Sequence, residues 1–488
     1  MRTKVLLALG ACVVLVACVL LVNTLRFTSR QVQVEPVQMV AVDEDAVAGR
    51  LAQALRFQTV SYQDPRDVKG EEFVALHRYL DQTFPRIHAA LTWERVGDYS
   101  LLYTWKGRDE KLKPVLLMGH QDVVPVDPEA LAAWHQPPFE GRITDGFVWG
   151  RGSLDDKFSV LGIMEAVEMH LAHGFRPQRT IYLAFGHDEE IGGHHGAAKV
   201  AELLGGRSGE LEFVLDEGLA MVEDLIPGLA KPVALVGIAD KGYVSVDLSV
   251  DVESGHSSMP PPQTAIGILS AAISRLEAHP MPSTLEGVQR QVLDHIGPEL
   301  PFGGRLVMAN LWLFAPLVER RLSARPNTNA GIRTTTAATM FSAGVKENLL
   351  PGRARAIVNF RILPGDSIEG VLGHVGRVVD DPRVKIEKLE ASAGEPSAVS
   401  SVDTAGFRIL QRTLRQVFPE VVVAPALCVG GTDSEHYAKL SNAVYRFSPL
   451  RLRPEDMSRL HGMNERTSVK DYAAGVRFYY HLISNSAR

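Results

Sequence analysis

Apolar runs of strand length recur along the chain and alternate with segments in which apolar residues follow helical spacing. Four such runs predict strands at residues 101–105, 114–118, 180–185 and 211–215. The second is a continuous apolar run, which suits a sheet covered on both faces. Helical spacing is clearest over residues 160–171, between the second and third runs. This alternation predicts an α/β fold with a mostly parallel sheet flanked by helices.

A different pattern begins at Lys241, where apolar and polar residues alternate as in a half-exposed strand of an antiparallel sheet. A helical segment near residues 266–273 and strands near 354–363 and 384–389 follow it. We therefore expect an inserted α+β lid domain that carries an antiparallel sheet. The predicted limits are a membrane anchor or signal segment at 1–27, a tether at 28–42, a catalytic domain at 43–239 and 399–488, and the lid domain at 240–398.

One apolar run, residues 306–314, lies in an additional stretch between the strands of the lid domain. Such a run either belongs to the core or lines an apolar substrate pocket. Because contiguous apolar residues are mostly buried, core is the expectation.

The N-terminus has the pattern of a membrane segment. An apolar run from Val5 to Val22 is preceded by Arg2 and Lys4 and followed by Arg26. The run is long enough to span a bilayer as a helix, and no convincing cleavage site follows it. We expect an uncleaved anchor, with a cleaved signal as the alternative. The prediction is a membrane-anchored protein with an extracytoplasmic catalytic domain, or an exported one.

Composition narrows the class of partner. The chain has 488 residues, room for two domains, and a formal net charge of −6. Without a concentrated basic face a nucleic-acid partner is not expected, so the predicted partner is a small-molecule substrate. Cys428 is the one cysteine outside the N-terminal segment, which excludes a disulfide within the globular part.

Acidic residues and a histidine follow the apolar runs. His120 comes after the second run, Glu189 and Glu190 after the third, and Asp216 after the fourth, while Asp155 opens the helical segment. Strands of a parallel sheet bring such residues to one edge. Buried adjacent carboxylates need a positive partner, and no basic run supplies one, so we predict a metal centre. Taken singly, the aspartates could also be helix-capping residues.

Five motifs, in order, resemble the signatures of the zinc exopeptidase family that includes carboxypeptidase S, aminoacylase-1 and the acetylornithine and succinyl-diaminopimelate deacylases. They are Met-Gly-His-Gln-Asp at 118–122, Gly-Arg-Gly-Ser-Leu-Asp-Asp-Lys at 150–157, Asp-Glu-Glu-Ile-Gly-Gly at 188–193, Gly-Gly-Thr-Asp at 430–433 and His-Gly-Met-Asn-Glu at 461–465. Within that family, Gly-His-Ser-Ser-Met-Pro-Pro at 255–261 and the N-terminal apolar segment resemble carboxypeptidase S and the secreted N-fatty-acyl-amino-acid synthase/hydrolase most.

The resemblance implies two divalent metal ions per chain, with zinc as the expected metal. Asp155 would bridge them, with His120 and Asp216 on one ion and Glu190 and His461 on the other. On chemistry alone His436 competes with His461 for the last position, and only the resemblance favours His461.

The remaining roles also follow from the resemblance. Glu189 becomes the general base and Asp122 the residue that orients His120, and His256 on the lid domain stabilises the oxyanion. The expected substrate-binding residues are Asn348, Arg361, Gly431 and Thr432. A homodimer through the lid domain is a further expectation.

The predicted function is that of a dizinc hydrolase that cleaves the amide next to a free C-terminal carboxylate, by attack of a hydroxide that bridges the two metals. The substrate is either an N-acyl amino acid or a short peptide, as for a carboxypeptidase S-like exopeptidase. The alternatives are the synthase direction of the same site and a catalytically silent membrane-tethered binding protein. Glu189 beside the predicted ligands argues against the silent protein, because a binding module needs no positioned base.

Overall fold

The structure is a computed structural model and describes residues 2–207 and 209–487 of the chain. The α-helices are α1 (Arg2–Arg26), α2 (Glu44–Ala54), α3 (Gly70–Thr83), α4 (Pro85–Ala90), α5 (Lys157–Ala172), α6 (Ala197–Arg207), α7 (Ala265–Ala278), α8 (Val288–Ile296), α9 (Phe302–Ala309), α10 (Leu311–Ser323), α11 (Pro326–Ile332), α12 (Ile368–Val379), α13 (Ala405–Val417) and α14 (Val469–Ser486). The strands are β1 (Thr92–Val96), β2 (Ser100–Trp105), β3 (Val115–His120), β4 (Arg142–Thr144), β5 (Phe147–Trp149), β6 (Ile181–Gly186), β7 (Phe213–Asp216), β8 (Met221–Val222), β9 (Val233–Asp240), β10 (Gly242–Asp251), β11 (Gly255–His256), β12 (Thr335–Ala343), β13 (Leu349–Leu350), β14 (Arg353–Ile362), β15 (Val384–Gly394), β16 (Val422–Cys428), β17 (Val444–Arg446), β18 (Arg451–Leu452) and β19 (Arg466–Ser468).

The central sheet has the strand order β1-β2-β6-β3-β7-β17-β9-β8-β18, and β16 pairs with β9. The strands at its middle are parallel, since β3 pairs in parallel with β6 and β7, and β7 with β17. The outer pair β1 and β2 is antiparallel, as is β2 with β6. The predicted α/β fold with a mostly parallel sheet is therefore confirmed.

Helices cover the sheet and explain its apolar runs. Every residue of β3 and of β6 is buried, because side chains on both faces of these strands meet helices. Helix α5 packs on β3 and, with its other side, on α14, which also contacts α2 and α13. The start of α14 is capped by Ser468, whose side chain accepts a hydrogen bond from the amide of Asp471.

A second, antiparallel sheet forms the lid domain. Its order is β12-β14-β10-β15, and α7 and α12 pack on it. Alternate residues of β10, such as Val244 and Val246, are buried under these helices, as the period-two pattern predicts. Two chain segments, at Asp240 and Ser397, connect the lid domain to the catalytic domain. They lie side by side, and the amide of Asp240 donates a hydrogen bond to Ser397 Oγ over 2.7 Å. The separate antiparallel-sheet domain is confirmed, whereas its limits at 240 and 398 remain a prediction.

Helices α8 to α11, which come between β11 and β12 in the sequence, form an additional layer. Helix α8 packs on β16 of the central sheet. On α10, Leu311 is buried, but Trp312 and Leu313 are 60% and 44% exposed. The expectation that residues 306–314 form core is therefore wrong for Trp312 and Leu313, because no described element covers that side of α10.

Helix α1 is the one helix among the described residues that is long and apolar enough to cross a membrane. The predicted tether that follows has no regular secondary structure, yet its first residues lie against the body of the protein. The side chain of Gln31 donates to the carbonyl of Val423 and accepts from its amide, at 3.0 and 2.8 Å. Arg30 forms an ion pair with Asp294 on α8.

Candidate metal centre

The metal centre predicted from sequence lies where the parallel strands end. In the pairing of β3 with β6, His120 is opposite Gly186, and Glu189 and Glu190 follow within four residues. Asp216 is the last residue of β7, the other neighbour of β3. The sheet register therefore brings these side chains to one edge.

Asp155 lies between two histidines. Its Oδ1 is 2.9 Å from Nε2 of His120, and its Oδ2 is 3.0 Å from Nε2 of His461. Nε2 of His461 is also 3.2 Å from Oε2 of Glu190. We call His120, Asp155, Glu190 and His461 the ligand cluster. The two oxygens of Asp155 therefore face two different histidines.

The other two candidate ligands differ in position. Asp216 is buried beside the cluster; burial raises the pKa of its carboxyl, and the nearby charge of His120 opposes that rise. His436, the competitor of His461, has its Nε2 3.0 Å from the carbonyl of Gly192 instead. The geometry thus favours His461 over His436 as the neighbour of Asp155.

The residues present fit divalent cations. His120, Asp155 and Glu190 each offer a ligand atom, and these atoms all lie within 4.8 Å of one another. Glu190 Oε1 and Asp216 Oδ2 are buried and have no hydrogen-bond partner among the described residues. Burial raises the pKa of Glu189 well above its usual range, and nearby acids raise it further. Bound cations would offset the cost of crowding so many carboxylates.

Asp122 organises the two glutamates. Its carboxylate accepts hydrogen bonds from the amides of Glu189 and Glu190, at 3.3 and 3.2 Å, and from the hydroxyl of Ser61 at 2.6 Å. The Nδ1 atom of His120 is 3.0 Å from the main-chain carbonyl of Asp122 and 3.4 Å from its carboxylate. Asp122 therefore orients His120 mainly through its backbone. Ser61 was not predicted, since it belongs to no motif.

Glu189 lies beside the cluster without joining it. Its Oε2 is 4.0 Å from Nε2 of His120, the limit of an ion pair. This position suits a group that exchanges protons with a molecule bound at the cluster.

Glu465 and Arg151 hold the segments that carry Asp155 and His461 together. One oxygen of Glu465 accepts from the amides of Gly152 and Leu154, at 3.0 and 2.8 Å, and the other pairs with Arg151 at 2.6 Å. Arg151 also donates to the carbonyl of His461. Both residues lie within the motifs described above, but the sequence predicted no role for either, because a motif does not show which residues pair.

We expect Glu465→Gln to destabilise the catalytic domain by about 3 kcal/mol, because it leaves the charge of Arg151 buried and unpaired. Glutamine keeps an oxygen for the amides of Gly152 and Leu154, so the change isolates the charge. Urea denaturation of the metal-free protein measures the loss. Asp381→Asn, which breaks an ion pair at the surface, is the control and leaves the midpoint unchanged. Equal midpoints for both variants would contradict the role of Glu465.

The candidate residues of the lid domain lie apart from the cluster. His256 on β11 is exposed, and its Nδ1 is 2.8 Å from Ser258 Oγ. Asn348 is beside it, since its carbonyl accepts from the amide of Ser257. The guanidinium of Arg361 lies 4.7 Å from the ring centre of Tyr243. Among the described residues, no hydrogen bond or ion pair links His256, Asn348 or Arg361 to the ligand cluster.

Gly431 and Thr432 lie in the loop after β16. Thr432 is buried, and its hydroxyl is 2.7 Å from Ser434 Oγ; its side chain opposes the rise that burial causes in the pKa of Asp216. Thr432 is therefore placed to hold a candidate ligand. Gly431 has open space around its Cα.

A cavity of about 230 Å³ opens at the cluster. Four polar residues, Asp155, Glu217, Ser448 and His461, form part of its wall. The apolar lining residues are Leu154, Ala220, Leu450, Leu452 and Leu460. The site thus combines charged groups with room for an apolar substituent.

The chain is similar to known proteins in both sequence and fold. A probable carboxypeptidase S-like 2 from Dictyostelium discoideum is 46% identical over 479 residues, which cover 96% of this chain and 92% of that protein. The N-fatty-acyl-amino acid synthase/hydrolase PM20D1 of Xenopus tropicalis is 44% identical over 440 residues, which cover 89% of this chain and 84% of that protein. In fold, the M20 family metallo-carboxypeptidase Sso-CP2 from Sulfolobus solfataricus is similar with a TM-score of 0.63 at 18% identity, covering 91% of this chain and 99% of that one.

The family model of peptidase family M20/M25/M40 matches residues 116–485, which include every member of the ligand cluster. The predicted family resemblance is confirmed, and with it the predicted class of enzyme, a metal-dependent peptidase or amidohydrolase whose family uses divalent metal ions. The chain belongs to peptidase family M20/M25/M40.

Proposed function

We propose that the protein is a dizinc amidohydrolase that releases amino acids from N-acyl amino acids with an apolar acyl group. The observation that carries the proposal is the position of Asp155 between His120 and His461, with Glu189 at the edge of the ligand cluster. Two cations held by the cluster and Asp216 would activate a water molecule and polarise the amide carbonyl.

The chain's own residues supply the proton transfers. Glu189 accepts a proton from the attacking water and delivers it to the leaving nitrogen, so that the amine departs neutral. The amides of Glu189 and Glu190, which donate to Asp122, hold the loop in place while this happens.

The apolar cavity favours an acyl substrate over a short peptide. A peptide would place a polar backbone against the side chains of Leu154, Leu452 and Leu460, which offer its amide groups no hydrogen-bond partner. An acyl chain has no such groups. The synthase direction uses the same contacts when fatty acid and amino acid are abundant, and the Xenopus relative bears both activities in its name.

Substrate carboxylate recognition is assigned to Arg361 and Asn348, and oxyanion stabilisation to His256. Arginine suits a carboxylate because it offers two parallel donors. Since these residues lie on the lid domain, we propose that they reach the substrate by rotation at the paired connections of Asp240 and Ser397, or from a second chain.

A homodimer through the lid domain remains a proposal. Strand β12 is an edge strand of its sheet and exposes Met340 and Phe341, 62% and 47% of their surface. Such an edge can pair with a second copy. Sedimentation of the full chain in detergent measures the mass, and a monomer at all concentrations would end this proposal.

We expect the full chain to release amino acid from N-oleoyl amino acids faster than from N-acetyl amino acids or dipeptides, and to lose all three activities with a chelator. Ala220→Leu fills the cavity, so it lowers kcat/KM for the oleoyl substrate by about tenfold and spares the acetyl one. Leu452→Ala is the matched change in the opposite direction and keeps the preference for the long chain. Chelator-resistant hydrolysis would refute the metal mechanism, and a dipeptide preference would favour the carboxypeptidase.

We propose that α1 is retained as a membrane anchor, with the catalytic domain outside the cytoplasm. The support is the contact of the end of α1 with the body of the protein, where Thr24 is fully buried. Cleavage after this point would remove the contact of α1 with α9. Mass spectrometry of the mature protein decides between the anchor and a cleaved signal.

A further inference from the structure

The exposed side of α9 and α10 is apolar. Phe302, Trp312, Leu313 and Leu317 are 52%, 60%, 44% and 57% exposed. Trp312, Leu313 and Leu317 share one side of α10, whereas Leu311 and Val318 on the opposite side are buried. We call these four exposed residues the α9–α10 apolar face. An exposed patch of this composition marks a binding surface.

A network of hydrogen bonds fixes this face next to α1. Asn310, which is buried, donates to the carbonyl of Leu20 at 3.2 Å and accepts from the side chain of Asn23 at 2.9 Å. The indole nitrogen of Trp312 donates to the same oxygen of Asn310 at 3.2 Å. Phe27 lies against Gly297, just before α9. Trp312 is therefore at the height of Leu20 to Asn23 along α1.

That height is the end of the apolar segment. The run from Val5 to Val22 stops one residue before Asn23, and Arg26 follows. A helix of this length crosses a hydrocarbon core of about 30 Å, so its last apolar turn lies near the boundary between acyl chains and headgroups. Tryptophan is the side chain that prefers this boundary, because its ring is apolar and its N–H is polar. Arg320 and Arg321 are exposed further along α10, where they can meet headgroup phosphates.

We propose that the α9–α10 apolar face lies in the boundary layer of the same bilayer that α1 crosses. The occupant is the lipid surface, because the face is continuous with a helix that is apolar and exposed along its whole spanning window. The membrane then has two contacts with the chain, the spanning helix and the face beside its end. Two contacts hold the catalytic domain in one orientation instead of letting it swing on a tether.

The test uses the full chain in phosphatidylcholine vesicles whose acyl chains are brominated near the glycerol, since bromine quenches tryptophan fluorescence on contact. We expect quenching that falls to the level of unbrominated vesicles in Trp312→Phe. Trp93→Phe is the matched control, because Trp93 is 46% exposed on β1 and is not part of the face, so this variant keeps the quenching. Hydrolysis by both variants shows that they are folded.

A second pair of variants tests the depth of the face. We expect Leu317→Asp to weaken the quenching of Trp312. Leu131→Asp is the control and should leave the quenching intact, because Leu131 is 48% exposed but is not part of the α9–α10 apolar face. Quenching that is the same in Trp312→Phe as in the unaltered chain would overturn the proposal, as Trp312 would then face water. Trp312 fluorescence could also be insensitive to brominated lipid but change with the number of chains per vesicle. That result would assign the α9–α10 apolar face to contact with a second copy and would also overturn the proposal.

Discussion

Asp155→Asn is expected to strip the protein of metal ions and to abolish hydrolysis. Asp155 has one oxygen near His120 and the other near His461, and asparagine replaces one of them with an NH₂ group that has no lone pair for a cation. Both ions would lose the shared ligand, so the content falls from about two ions per chain to less than about one. Mass spectrometry after dialysis measures the content, and amino-acid release measures the activity.

Two histidine variants serve as the control for this result. His461→Ala should lose metal and activity, because Nε2 of His461 lies near both Asp155 and Glu190. His436→Ala should retain both, since His436 contacts the carbonyl of Gly192 instead. Full metal content in Asp155→Asn, or loss in His436→Ala together with retention in His461→Ala, would show that the ions bind elsewhere.

Glu189→Gln is expected to lower kcat by about 10³-fold while the metal content stays unchanged. Glutamine has nearly the shape of glutamate but cannot accept the proton of the attacking water. Because Glu189 is 4.0 Å from His120 and outside the ligand cluster, the ions should stay bound. Steady-state kinetics with an N-acyl amino acid, alongside metal analysis of the same preparation, gives both quantities.

Glu190→Gln is the matched comparison, one residue further along the same loop. Its carboxylate is 3.2 Å from His461, so this variant should lose metal as well as activity. Identical behaviour of the two variants would remove the distinction between base and ligand. Unchanged hydrolysis in Glu189→Gln would exclude Glu189 as the base. A lack of hydrolysis in the unaltered chain would favour the catalytically silent binding protein.

The sheet and the ligand cluster were accessible from sequence because both depend on local patterns. Strands buried on both faces appear as continuous apolar runs, and β3 and β6 are such strands. Parallel pairing then requires that the residues after these runs meet at one edge. His120, Glu190 and Asp216 could be placed on this ground. His461 needed the family resemblance, since it does not come directly after a strand: the preceding strand, β18, ends at Leu452.

Other features depend on contacts that a pattern does not contain. The pairing of Arg151 with Glu465 joins residues 314 positions apart, and nothing in either segment indicates its partner. The exposure of Trp312 was missed because an apolar run reads the same whether it faces a core or a lipid surface. The distance of His256 from the cluster depends on the angle between two domains, which no residue pattern encodes.

The position of Glu465 has a consequence for biosynthesis. The ribosome adds residues in chain order, so Arg151 is made 314 residues before Glu465. Until then Arg151 lacks its carboxylate and the turn at Gly152 and Leu154 lacks its acceptor. The ligand cluster is therefore incomplete until His461 has been added, and we expect any product that stops short of residue 461 to be inactive.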